Sequence, residues 1–202
     1  MKTLSIFAAG LVAAAALSAP ASAQVRVFGG DETRGTSTRM VVTPKFEPVA
    51  MLFVQHGTPP WKPEYDQMIA GMKKAPKAMN LRLGQNYWSS FTTSVPVTIG
   101  GATVPAGQHY LGLRIEGGKM HVSFYEVAKA HAAKMTPWMP KGYKSGAHGV
   151  LELKKAEKAT EKLLISLRGE TMKEMSFNIH WGKYQLTAPI RPAKAGSRPS
   201  KD

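Results

Sequence analysis

The chain has 202 residues, 43% of them hydrophobic and 20% charged, the composition of one ordinary soluble domain rather than of a disordered chain or a polytopic membrane protein. It contains no cysteine, which excludes disulfides, thiolate zinc sites and a cysteine nucleophile. Lys and Arg number 27 against 13 Asp and Glu, a formal charge of +14, and such an excess favours contact with polyanions.

Lys2 followed by an apolar stretch from Leu4 to Leu17 and by Ala21-Ser22-Ala23 has the form of an export signal, with cleavage expected before Gln24. The stretch is about 14 residues, short of the roughly 20 that cross a bilayer, and no later stretch reaches that length. The expected mature protein therefore has no transmembrane segment and lies in the periplasm or outside the cell. Polyanions available there are anionic envelope glycans, lipid headgroups and shed nucleic acid. The densest basic groups are Lys141, Lys144, Lys154, Lys155 and Lys158, and a tail with Arg191, Lys194, Arg198 and Lys201. Neither is interleaved with aromatic residues as in a single-strand binding surface, so no specific nucleic acid is expected.

Residues 24–48 read as a partly ordered lead-in with one strand at Arg39 to Thr43, and Val49 to His56 as a buried strand. Three prolines, Pro59, Pro60 and Pro63, make a rigid loop around Trp61. Tyr65, Met68, Ile69 and Met72 then recur at helical spacing within Glu64 to Lys74, with the methionines expected as core contacts. From Leu81 the period changes to two. Phe91, Thr93, Val95, Val97 and Ile99 alternate up to a glycine turn at Gly100-Gly101.

A two-residue turn at Gly117-Gly118 places Ile115 opposite Met120, Leu113 opposite Val122 and Leu111 opposite Phe124 on one apolar face. The other face then carries Tyr110, Arg114, His121 and Tyr125. Val127 to Lys134 has helical composition, and Met135 to Gly149 is a loop. Leu163, Ile165 and Leu167 alternate before a turn at Gly169-Glu170. A turn at Gly182-Lys183 would pair Trp181 with Tyr184, Ile179 with Leu186, Phe177 with Ala188 and Met175 with Ile190. The expected fold is all-β and mainly antiparallel, a β-sandwich of about seven to eight strands with one or two short helices. It would occupy residues 49–190, between a leader at 1–23 with its lead-in and a basic tail at 191–202.

The segment Val97-Thr98-Ile99-Gly100-Gly101-Ala102-Thr103-Val104-Pro105-Ala106-Gly107, followed by a strand ending near Ile115, resembles the centre of an uncharacterised bacterial family catalogued as domain of unknown function 2911. Members typically carry an exported N-terminus, a turn of the form x-I-G-G-K-x-L-P-A-G-x-Y and a C-terminal strand with Trp followed by an alternating strand. Here the matching pieces are Ile99 to Tyr110 and Phe177 to Ile190, while His56 to Pro59 corresponds to a Y-G-R-P segment and Leu83-Gly84-Gln85-Asn86 to R-T-G-A-N. The resemblance covers Val49 to Ile190, supports the sandwich and the export, and implies no activity.

No G-x-S-x-G elbow, H-E-x-x-H helix, phosphate loop or dinucleotide turn occurs in the sequence. Imidazole and thioether together raise copper, for which the best local set is His131 and Met135, four apart on a helix, with Met139 beyond and His148 in the following loop. His109 and Glu126 form a second set, opposite one another in the hairpin register. Loop aromatics give a different reading, in which Trp61, Tyr87, Trp88 or Trp138 stacks on a ligand and a cation such as Arg114 meets its anionic group. The expected function is a non-catalytic binding or structural module for an anionic, glycan or lipid ligand. A periplasmic copper-binding protein is the alternative, and an envelope hydrolase the third reading.

Overall fold

The computed structural model describes residues 33–72, 78–85, 87–136 and 146–193. In chain order they form β1 (Arg34–Val42), β2 (Pro48–Gly57), α1 (Glu64–Gly71), β3 (Met79–Arg82), β4 (Ser89–Thr93), β5 (Val97–Ile99), β6 (Ala102–Val104), β7 (Gly107–Glu116), β8 (Lys119–Glu126), α2 (Val127–Ala132), β9 (Ala147–Arg168) and β10 (Ser176–Pro192). The class is all-β with antiparallel pairing and two short helices, and the ten strands follow one hydrogen-bonded path, β1-β2-β4-β7-β8-β9-β10-β5-β6, with β3 beside β7. Ten strands appear because Ser94, Val95 and Pro96 cut the alternating run from Phe91 to Ile99 into β4 and β5, and because β1 begins at Arg34, inside the expected lead-in.

The glycine turns form where the alternation places them. Gly117 and Gly118 both have positive φ, 57° and 73°, a conformation glycine adopts without a Cβ penalty and one that matches the twist of a two-residue hairpin. The register that follows joins Ile115 to Met120, Leu113 to Val122 and Leu111 to Phe124, and all six side chains are buried. Gly100-Gly101 likewise turns β5 into β6. The core these strands enclose is centred on Phe91, Phe124 and Phe177, whose rings lie 5.6–6.4 Å apart. Each such side chain contributes about 1.5–3 kcal/mol by leaving water. Met72 is in this core and Met68 packs against it, as expected of the methionines of α1.

Two strand expectations change. β2 is buried on one face only: Ala50, Leu52, Val54 and His56 point inward while Val49 and Met51 are exposed. At Gly182 there is no two-residue turn. Residues 176–192 are one strand, paired with β9 on both sides of that glycine, and the register shifts there. The strand nonetheless bends back on itself, since Ile190 N–H donates to Met175 O at 2.7 Å and the Thr187 hydroxyl donates to Asn178 Oδ1 at 3.0 Å. Fifteen residues of straight strand would separate those groups by about 50 Å. The expected hairpin register survives at these contacts, but both arms take their main ladder from β9, which bends with them.

That bend lets β9 meet two parts of the molecule. Its start pairs with β8, Met120 facing Leu151. Its far half takes the proline segment after β2, where Leu163 N–H donates to Pro59 O at 3.0 Å and Trp61 N–H to Glu161 O at 2.7 Å. Prolines on this seam offer no spare donors to a further strand.

Candidate functional site

Two aromatic clusters account for most of the residues the sequence singles out. The first is built on the seam. Trp61 lies edge-on to Trp181 at 5.4 Å and to Tyr65 at 5.4 Å, and 5.7 Å from Tyr184; Tyr65 and Trp181 are 4.3 Å apart. All four rings are half-buried. Gly182 explains how they fit, because its φ of 58° and the absence of a side chain let the Trp61 indole lie against the backbone where any Cβ would collide with it. The Trp181 indole N–H donates to Pro59 O at 3.3 Å.

Charged groups ring this cluster. Lys183 donates to Asp66 Oδ2 at 2.9 Å and sits 5.6 Å from the centre of the Tyr184 ring. The Lys183 bond holds the Asp66 carboxyl below its ordinary range, while burial and the Asp66 bond push the Tyr184 phenol up. Lys62 follows Trp61 in the chain, Lys162 bridges to Pro60 and Lys155 is the register partner of Tyr184, all three exposed.

The second cluster lies on the outward face of β7 and β8. Trp88 stacks on Tyr110 at 4.9 Å with 9° between the planes, and lies 6.1 Å from Tyr125. α2 folds over it, burying Ala130 and placing His131 Nε2 2.8 Å from the Tyr110 hydroxyl. Met135 is buried against the same rings, and His148, opposite Ser123 on β9, is 2.9 Å from the Ser123 hydroxyl. His131 and Met135 thus lie with Tyr110 and Tyr125, His148 reaches the Tyr125 ring edge-on at 6.5 Å, and both imidazoles are hydrogen-bonded to side chains. Among the described residues no three His, Asp or Glu side chains gather in a way that would hold a metal ion.

Beside this cluster the Arg114 guanidinium grips both oxygens of Glu116, at 3.0 and 2.9 Å, and donates to Asn80 at 3.3 Å, so it is engaged within the protein. Burial holds His148 and His121 below the ordinary histidine range, with Arg114 adding to the effect on both and Glu116 opposing it. Ser123 and His148 have the residue types of a nucleophile and its base, and Ser123 is 0% exposed. Tyr87 is exposed on the turn before β4, and Trp138 lies outside the described residues.

The sequence did not reveal His56. Its Nδ1–H donates to Gly57 O at 2.9 Å and its Nε2 accepts Ile165 N–H at 3.1 Å, joining β2 to β9 deep in the seam. Those two bonds require the neutral ring, since a proton on Nε2 would face another N–H. Burial, with Arg34 adding to it and the two backbone bonds opposing, holds its pKa low. His109 faces Glu126 in the expected register. It is buried, and neither ring nitrogen reaches hydrogen-bond geometry among the described residues; burial lowers its pKa against the pull of Glu126. The only signal for either histidine was its inward place in an alternating strand.

No curated protein and no solved structure matches the chain. Residues 53–190 match the model of a family described as a protein of unknown function, DUF2911, and over that span, which holds both clusters and the His56 seam, the chain belongs to this family.

Proposed function

We propose that the protein is an exported, non-catalytic binding module of the cell envelope that holds an anionic glycan on the Trp61 surface. The observation that carries this reading is the combination of four half-buried rings with exposed cations around them: Trp61, Tyr65, Trp181 and Tyr184 beside Lys62, Lys155, Lys162 and Lys183. A sugar ring lays its C–H face on an indole, and a carboxylate or sulfate on it meets an ammonium group. The second cluster offers less, because α2 covers it and its polar groups bond one another.

The test is calorimetric titration with uronic-acid oligosaccharides and their neutral counterparts at two salt concentrations. Binding of the acidic sugars that falls steeply with salt, weakens in Lys155→Gln/Lys162→Gln and is lost in Trp61→Leu supports the reading. Equal binding of neutral and acidic sugars, or none, overturns it. An elemental scan of the protein from its native envelope tests the copper alternative: stoichiometric metal lost in His131→Ala/His148→Ala would replace the glycan reading.

A further inference from the structure

The hairpin of β1 and β2 ends in a group of exposed apolar side chains, Met40, Val42, Phe46, Val49 and Met51, of which Phe46 is 84% exposed. Its turn is a built structure. Thr43 N–H donates to Glu47 O and Phe46 N–H to Thr43 O, both at 2.9 Å, while the Thr43 hydroxyl accepts Lys45 N–H and Glu47 N–H, both at 3.2 Å. Phe46 occupies the left-handed region, φ 62°, which favours glycine or asparagine. Folding gains nothing from a phenylalanine in that place, since its ring touches water and its backbone is disfavoured. The hairpin is also rooted: Met51 exchanges bonds with Ser94, its N–H donating to Ser94 Oγ at 2.8 Å and its O accepting Ser94 N–H at 3.0 Å, and Val41 packs on the core from the other face.

We infer that this tip is a membrane-docking wedge that inserts Phe46 and its apolar neighbours into an anionic lipid surface. The charge on the page favours lipid over a second copy of the chain. Lys45 stands beside Phe46 in the turn, Glu47 is the single acid there, and the whole chain carries +14, so two copies brought together repel whereas a layer of phosphate headgroups attracts. Five side chains present on the order of a few hundred Å², below the ~800 Å² per partner that a stable dimer buries. A bilayer interface has no such requirement, and aromatic and thioether side chains suit its depth. This surface is separate from the Trp61 cluster, and the inference does not rest on the glycan reading.

Flotation of the protein, in the form the cell accumulates, with vesicles of phosphatidylcholine alone or mixed with phosphatidylglycerol tests it. The wild type floats with the anionic vesicles and detaches as salt rises. Phe46→Ser weakens partition about tenfold and Lys45→Gln about fivefold, with unfolding midpoints unchanged. Phe46→Trp adds an indole whose emission shifts to the blue on anionic vesicles, which reads insertion directly should the serine variant fold poorly. Three results overturn the inference: no flotation of the wild type, equal flotation of wild type and Phe46→Ser with no shift from Phe46→Trp, or a vesicle-free dimer that Phe46→Ser dissociates.

Discussion

The two aromatic clusters are similar in content and differ in what packs beside them. Around Trp88 a helix closes the cluster on one side: Tyr125, Ala130 of α2 and Met135 are buried together, His131 bonds the Tyr110 hydroxyl, and Trp88 and Tyr110 stay half-buried. Around Trp61 nothing among the described residues plays the part of α2, and four half-buried rings border water beside lysines. Aromatic residues clustered near basic ones therefore do not themselves mark a binding surface. What distinguishes the two is whether a further element closes over the ring faces.

Substitutions sharpen that contrast. The largest effect is expected from Tyr125→Ala, which removes a fully buried ring from the closed cluster and should cost about 3–5 kcal/mol in urea unfolding, with no direct effect on ligand binding. Gly182→Ala should follow at on the order of 2–4 kcal/mol, because a methyl there meets the Trp61 indole from a backbone conformation that already disfavours it. If Gly182→Ala is neutral, Trp61 is loosely held and the open cluster is not a formed platform. Lys183→Gln should leave the unfolding midpoint unchanged, its ion pair with Asp66 being at the surface, and weaken binding of acidic sugars severalfold.

The seam gives a pH prediction. His56, His109, His121 and His148 all have pKa values lowered in the folded protein, so the unfolded chain binds more protons and stability rises with pH through this range. Their contribution is complete above the ordinary histidine value of 6.5 and falls away as pH drops below it. Asp66 and Glu116, with lowered carboxyl pKa values, lose theirs only further into acid. Unfolding midpoints between pH 7 and pH 5 should decline in the wild type, and His56→Gln should remove at most one proton from that slope, about 1.4 kcal/mol per pH unit. An unchanged slope would mean that His56 does not hold the seam through its neutral ring.

Much of the fold was legible because it rests on local rules. A glycine pair between two alternating runs specifies a turn and a register at once, and a one-residue slip at Gly117-Gly118 would turn the three apolar side chains of one strand away from the three of the other. α2 and the helical spacing of Met68 and Met72 were legible for the same reason. The partners of His131 and His148 were not legible, since the structure gives the two imidazoles separate hydroxyls, Tyr110 and Ser123.

The Gly182 bend escaped sequence reading, since a glycine between alternating runs looks the same whether it turns a hairpin or folds a paired ribbon. His56 escaped as well, because its acceptor role depends on Ile165, more than a hundred residues away in sequence. By itself the sequence determined the class of fold, the hairpin register and the basic charge, all consequences of composition and of contacts between near neighbours. Tertiary structure decided which aromatic cluster is covered, which histidine must stay neutral and which apolar tip stays in water, because each depends on what a distant segment places against it.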